Sequence, residues 1–224
     1  MECVGINNKS SLRSNNAIIP IIYYVYKKDM KEIDTTKKDF VILRKYLYIV
    51  LLNGIFGGQT DAILTDSRNT INEKLKEDIF PLSELFKVFS LKNKTIRKEE
   101  ELMELLEEIK YNTDRSRLIL NIIYKNNSIL EFQEDHMFPK SKMIKRYSRK
   151  IVDNIANLQP LGSFTNNSKN NKKFKEWLEE PNRSEEYREI NLIPKMDDYN
   201  EDNFEEFIKK RRNLIFEAVK EFFN

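Results

Sequence analysis

The chain has one histidine, and the residues around it have types and spacing that could do chemistry. The run Glu131-Phe-Gln-Glu-Asp135-His136-Met-Phe-Pro-Lys140-Ser141 leads into a basic loop. Asn154-Ile-Ala-Asn157-Leu-Gln-Pro-Leu161, Asn166-Asn-Ser-Lys169-Asn-Asn-Lys172 and Lys175-Glu-Trp177-Leu follow. A lone histidine is more often a satisfied structural residue than a catalyst, but this neighbourhood reverses that expectation. A carboxylate such as Asp135 suits a hard cation such as Mg2+. A neutral imidazole suits general-base activation of water. Neighbours on a strand point to opposite faces, so a twist at the strand end has to let both reach one site. A short helix crossing behind a hairpin can add a second oxygen ligand, such as an Asn amide. One metal would then face a scissile phosphate, with water activated on the other side and the leaving oxygen neutralised.

The elements that must position these residues are mainly helical. Gly and Pro are scarce, at 5 and 6 residues, which favours helices. Phe40, Leu43, Tyr46, Leu47 and Val50 predict an amphipathic helix over 38–52. Leu82, Leu85, Phe86 and Phe89 predict a helix after Pro81, and Leu102, Leu105, Leu106 and Ile109 another over 99–109. Residues 115–124 are apolar on most sides, as in a buried helix. A stripe from Phe204 to Phe222 predicts a last helix capped by Asn203. The pattern changes at the turn signal Asn126-Asn127-Ser128. Strands are expected over 129–138 and 158–161, and helix in the second part of 166–180. Three regions result: helical 1–125, a small mixed module 126–180, and a polar connector with a helix over 181–224. Trp177 reads as a core anchor, Gly57-Gly58 as a helix boundary, and Cys3 as inert.

Several classes are excluded. No apolar run reaches the roughly 18 residues of a membrane span. No signal peptide is visible, one cysteine cannot form an internal disulfide, and one histidine rules out a structural zinc site. A cytoplasmic protein is expected. No G-x-S-x-G elbow supports a serine hydrolase. Gly54, Gly57 and Gly58 lack a following Lys, so no Walker cradle exists.

Asp135-His136, Asn157 and Asn166 resemble the three parts of an HNH endonuclease of the ββα-metal fold. More closely, Asp-His-x-Phe-Pro-Lys-Ser, Asn-x-x-Asn-Leu, Asn-x-x-Lys and Glu-Trp-Leu resemble the C-terminal nuclease half of GmrSD-type proteins, prokaryotic restriction systems that act on modified phage DNA. Residues 15–24, 52–64 and 203–211 look similar to the same family, so nearly the whole chain is covered. The resemblance implies a mainly α protein with a small α+β module: a helical N-terminal region, a ββα-metal HNH module at 126–180, and a C-terminal helix. It implies Asp135 and Asn166 as ligands of Mg2+ or Mn2+, His136 as general base, and Asn157 as a brace for the loop holding the histidine. Lys169 would lie near the phosphates. Asn166, Asn167, Asn170 and Asn171 compete for the last motif, and Asn166 is preferred because Lys169 and Lys172 then fall into place. The segment from Asp135 to Asn166 is longer than in many HNH modules. The nucleotide-hydrolysing half of full-length GmrSD-type proteins does not occur here, which leaves a standalone nuclease half, a fragment, or a chain whose partner is a separate polypeptide.

The formal charge of +3 is a sum of opposites. Residues 137–175 hold ten Lys/Arg and one acid, Asp153, while 176–206 hold twelve acids and three bases. The basic window is where a phosphate backbone would lie, with Lys140, Lys142, Lys169 and Lys172 as expected contacts. The acidic window would border the DNA channel or dock on a basic face. The leading expectation is a metal-dependent DNA endonuclease of anti-phage defence. The rival is a non-catalytic DNA-binding or assembly module of a restriction complex.

Overall fold

The computed structural model describes residues 14–58, 60–77, 79–94, 96–97, 99–124 and 132–223. Cys3 and the turn signal at 126–128 lie outside them. The described residues are mainly helical, with a single two-stranded antiparallel sheet. Among them no helix is long and apolar enough to cross a membrane. The chain divides into two compact units, Met1–Lys98 and Glu99–Asn224. The sequence reading grouped residues 1–125 as one helical region, whereas the two helices from Glu99 to residue 124 fall in the second unit.

The first unit holds α1 (Ile19–Lys27), α2 (Lys38–Asn53), α3 (Asp61–Lys74) and α4 (Leu82–Leu91). Pro20 breaks the apolar run 17–26 but suits the first turn of α1, where a missing N–H costs nothing. Tyr24 and Tyr46 are buried against Phe80, with ring centroids 5.2 Å and 5.1 Å away, and Phe89 packs on the other side of the cluster against Tyr46 and Phe56. Asp39 ties this cluster by accepting from the Tyr24 hydroxyl and the Phe80 amide. The end of α2 is set by Gly54 in the left-handed region (φ 64°), not by Gly57-Gly58.

The second unit contains α5 (Glu99–Glu108), α6 (Asp114–Ile123), β1 (Gln133–His136), α7 (Lys140–Met143), α8 (Arg149–Val152), β2 (Leu158–Leu161), α9 (Ser163–Lys169), α10 (Phe174–Leu178), α11 (Glu185–Ile190) and α12 (Phe204–Phe223). Helix α12 is amphipathic: Phe204, Phe207, Ile208, Ile215 and Val219 are buried along one face. Phe138 packs against Phe174, Phe204 and Phe207 at centroid distances of 4.7, 5.1 and 5.0 Å. Burying rings of this size stabilises by about 2–3 kcal/mol each. This cluster lies directly beneath the segment that leaves β1.

Three local expectations are corrected. The first strand spans 133–136 rather than reaching Phe138, because Asn157 takes the Met137 amide on its carbonyl and the Phe138 amide on its side chain. The Met137 bond is the last in register, and the Phe138 amide then turns to a side chain, which ends the pairing. The last helix is entered through a 3-10 turn, Glu201–Asn203, capped by Asn200, whose side chain accepts from the amides of Asp202 and Asn203. Asn203 is therefore inside the turn. The stretch after β2 is helical in its first part as well, as α9. Its Asn, Ser and Thr residues are weak helix formers, so no periodicity announces it; tertiary contacts to β1 hold it.

Candidate active site

Strands β1 and β2 pair with Asp135 opposite Gln159 and His136 opposite Leu158, and α9 packs against β1. The order is strand, strand, helix. Because side chains alternate along β1, it presents Gln133 and Asp135 on one face, Glu134 and His136 on the other.

On the first face, Asp135 Oδ2 accepts from Gln159 Nε2 at 2.8 Å and pairs with Lys169 Nζ at 2.8 Å. Lys169 also donates to the His136 carbonyl at 2.6 Å and is fully buried, 0% exposed. The resemblance placed this ammonium near phosphates; the fold places it inside, under the strand. Burial lowers its pKa, and the Asp135 charge pulls it partly back up. Asn166 lies one helical turn before Lys169 and donates from Nδ2 to Gln133 Oε1 at 2.7 Å. So α9 carries Asn166 and Lys169 onto the face that bears Asp135.

On the opposite face, His136 is 8% exposed. Its Nε2 lies 2.8 Å from Asp153 Oδ1. A carboxylate only accepts, so Nε2 carries the proton and the lone pair of the neutral ring sits on Nδ1. Burial pushes the imidazole below its ordinary range, with the Asp153 hydrogen bond opposing, so the ring is neutral at pH 7. Tyr111 lies against it, with centroids 4.6 Å apart, and is itself 37% exposed. Lys140 Nζ sits 5.1 Å from the Tyr111 centroid and bonds both oxygens of Asp153, at 2.7 and 2.9 Å. Arg149 Nε adds a longer contact to Asp153 at 3.3 Å.

Tyr111 is brought there by the start of α6. Thr113 and Ser116 form a capping box. Glu134, next to His136 along that face, accepts from the Ser116 hydroxyl at 2.9 Å and the Asn112 amide at 2.7 Å. A carboxylate is favoured at a helix N-terminus. The Lys110–Asn154 bridge and the Tyr111 amide on the Asp153 carbonyl at 2.7 Å complete the tie.

Asn157 is 0% exposed and holds the loop after His136. Its Oδ1 accepts from the Phe138 amide at 3.0 Å, and its Nδ2 donates to the carbonyls of Phe138 and Val152 at 3.2 and 2.9 Å. Arg211 of α12, also fully buried, donates to the flanking carbonyls of Ala156 and Leu158, both at 2.8 Å.

The basic window is partly neutralised by the acidic one. Arg146 pairs with Asp202, Lys172 with Glu180 at 2.7 Å, and Lys175 with Asp198 at 3.1 Å. Of the four lysines expected to meet phosphate, Lys140 serves Asp153, Lys169 is buried and Lys172 is paired. Lys142, like the exposed Lys145 and Lys150, makes no ion pair among the described residues.

Asp153, Gln159 and Tyr111 were not singled out by sequence reasoning as site residues. The one available signal was Asp153's position as the sole acid in a window of ten bases.

The net effect on Asp153 is a lowered pKa: burial pushes it up, but hydrogen bonds from Lys140 and His136 outweigh burial. An acid with a depressed folded pKa adds stability above its unfolded value, ordinarily 3.8, and loses it as pH falls through the folded value. Asp153→Asn is therefore expected to be less stable than the parent at pH 6–7 by about 1–3 kcal/mol. The difference should vanish below the ordinary carboxylate range in urea unfolding at stepped pH. A gap that stays constant down to acid pH contradicts this.

The donors fit a hard divalent ion. Among the described residues Asp135 Oδ1 and Asn166 Oδ1 accept no hydrogen bond, and both belong to the same side of the hairpin. No three His, Cys, Asp or Glu side chains cluster among the described residues. Water and phosphate would then complete most of an ion's shell, as is usual for Mg2+. Compared with known proteins, the chain matches no family model and no curated protein.

Proposed function

We propose that the second unit is a metal-dependent HNH-type endonuclease that hydrolyses DNA phosphodiester bonds, serving prokaryotic restriction of phage DNA. The observation that carries this reading is the order of groups around the end of β1: His136, oriented by Asp153 on one face, directly follows Asp135 on the other face, to which α9 delivers Asn166, so the scissile phosphate would lie across the strand end where the two faces meet. The motif resemblance supports the same reading.

In this mechanism His136 Nδ1 takes a proton from water as the water oxygen bonds to phosphorus and the P–O3′ bond breaks in line. Asp153 keeps the ring in the tautomer with Nε2 protonated and stabilises the imidazolium as it forms. Lys140 holds Asp153 ionised. Asn157 fixes the backbone after His136, and Tyr111 limits the ring's rotation. A divalent cation held by Asp135 and Asn166 would stabilise charge on the departing oxygen. Lys142, Lys145, Lys150 and Lys173, which make no ion pair among the described residues, are the cations of the basic window left to meet the DNA backbone. A separate nucleotide-hydrolysing protein would be the partner in a split restriction system.

The decisive experiment is plasmid nicking with Mg2+ or Mn2+ against an EDTA control. Divalent-dependent nicking, abolished by EDTA and restored by added metal, is the expected result. The rival reading, a DNA-binding or assembly module without chemistry, draws on the Lys169 ammonium already paired with Asp135. It predicts salt-sensitive binding with no nicking in any divalent ion.

A further inference from the structure

The carboxylate of Asp135 is fixed by a directional chain of hydrogen bonds that starts two helices away. Trp177 Nε1 donates to the Tyr187 hydroxyl at 3.2 Å. The Tyr187 hydroxyl donates to Gln159 Oε1 at 3.1 Å. Gln159 Nε2 donates to Asp135 Oδ2 at 2.8 Å. Each polarity is forced. An indole N–H can only donate, so the phenol oxygen accepts there and spends its single proton on Gln159. An ionised carboxylate can only accept, so the amide end of Gln159 faces Asp135 and its oxygen faces Tyr187.

The chain is rigidly housed. Gln159 and Trp177 are fully buried. The Arg183 guanidinium lies 3.8 Å from the Trp177 centroid and 4.7 Å from the Tyr187 centroid. Gln159 and Lys169 both act on Oδ2 of Asp135, which leaves Oδ1 as the oxygen offered to a ligand.

Resting on the nuclease reading, we infer that Tyr187, in the acidic connector, is a positioning residue that acts through Gln159 to present Asp135 Oδ1 to the divalent ion. The connector is then a supporting layer of the metal site. Partners of metal ligands typically change metal affinity 10–100-fold when removed.

The test is Mn2+ binding by electron paramagnetic resonance on the intact chain, for the parent, Tyr187→Phe, Gln159→Leu and the double variant. Tyr187→Phe keeps the ring and deletes only the link. The Mn2+ Kd is expected to rise about tenfold in each variant. The double variant should be no worse than the weaker single, as members of one chain are not additive. Nicking should recover towards the parent rate at saturating Mn2+. Circular dichroism should be unchanged in Tyr187→Phe. Parent-like Mn2+ affinity in Tyr187→Phe, or defects that multiply in the double variant, overturns the inference alone. A parent that binds no Mn2+ and nicks no DNA overturns the nuclease reading and this inference with it.

Discussion

Replacing His136 with alanine is expected to abolish divalent-dependent nicking while the protein stays folded and still binds DNA. A positioned general base contributes about 10²–10⁴-fold, and no second histidine exists to replace it. The fold should survive because the substitution orphans little. Asp153 keeps Lys140 on both oxygens and Arg149 at the rim. The backbone of residue 136 keeps its bond from Lys169 and its place opposite Leu158. The loss is one ring packed on Tyr111 and one buried hydrogen bond, a cost of about 1–3 kcal/mol. DNA affinity by fluorescence anisotropy should match the parent, because the exposed lysines are untouched. Parent-level cutting by rigorously purified His136→Ala, with contaminating nucleases excluded, would sink the mechanism.

Asn157→Ala should be the most damaging single change to the fold around the site. It removes one acceptor and one donor that together satisfy three fully internal backbone groups: the Phe138 N–H, the Phe138 carbonyl and the Val152 carbonyl. At about 1 kcal/mol or more for each buried group left unpaired, the loss is about 3 kcal/mol. Whole domains of this size have only about 5–15 kcal/mol. Each kcal/mol lowers the melting temperature by about 2–4 °C at this length, so a fall of about 6–12 °C is expected by calorimetry. Asn157→Asp should be at least as severe, since it turns a carboxylate oxygen towards two carbonyls. Nicking should fall with stability, because the loop from Met137 to Pro139 sets where His136 points. An unchanged melting temperature for both variants would remove the bracing role.

The two variants divide the site by kind of residue. His136 meets the reacting atoms in the proposed mechanism, and its removal should leave a folded, inert protein. Asn157 meets only backbone, and its removal acts through the chain's shape. The structure adds a third layer behind Asn157, where Arg211 clamps the carbonyls on either side of it. Among the described residues that arginine pairs with no acid, and burial lowers its pKa, with Tyr124 and Tyr187 opposing. The C-terminal helix therefore does more than cover an apolar face.

The helices with a clear apolar period were legible in the sequence: α2, α4, α5 and α12 lie within a few residues of where periodicity predicts them, and α6 lies where a run apolar on most sides predicts a buried helix. The short pieces that build the site were less legible. Helices α7, α8 and α9 span four to seven residues, too short for a period to show, and they are held by particular side chains rather than by propensity. The second strand was readable from Leu158 to Leu161, but the extent of the first was misjudged, because hydrophobic alternation continues past the point where Asn157 captures the backbone.

Residue types draw attention to Asp135 and His136, because the chemistry of each is local to its side chain, and the motif resemblance adds Asn157 and Asn166. Partnership is not local, and only the tertiary structure decided it. Asp153 became the histidine's partner because α8 and the Lys110–Asn154 bridge bring it across the face of β1. Lys169 went inward to Asp135, because α9 packs its buried face on the strand. Part of the apparent basic surface was cancelled by acids of the following window, from eight to 56 residues away in sequence. A charge count cannot show which charges meet, since Coulomb energy depends on distance and burial that only folding sets.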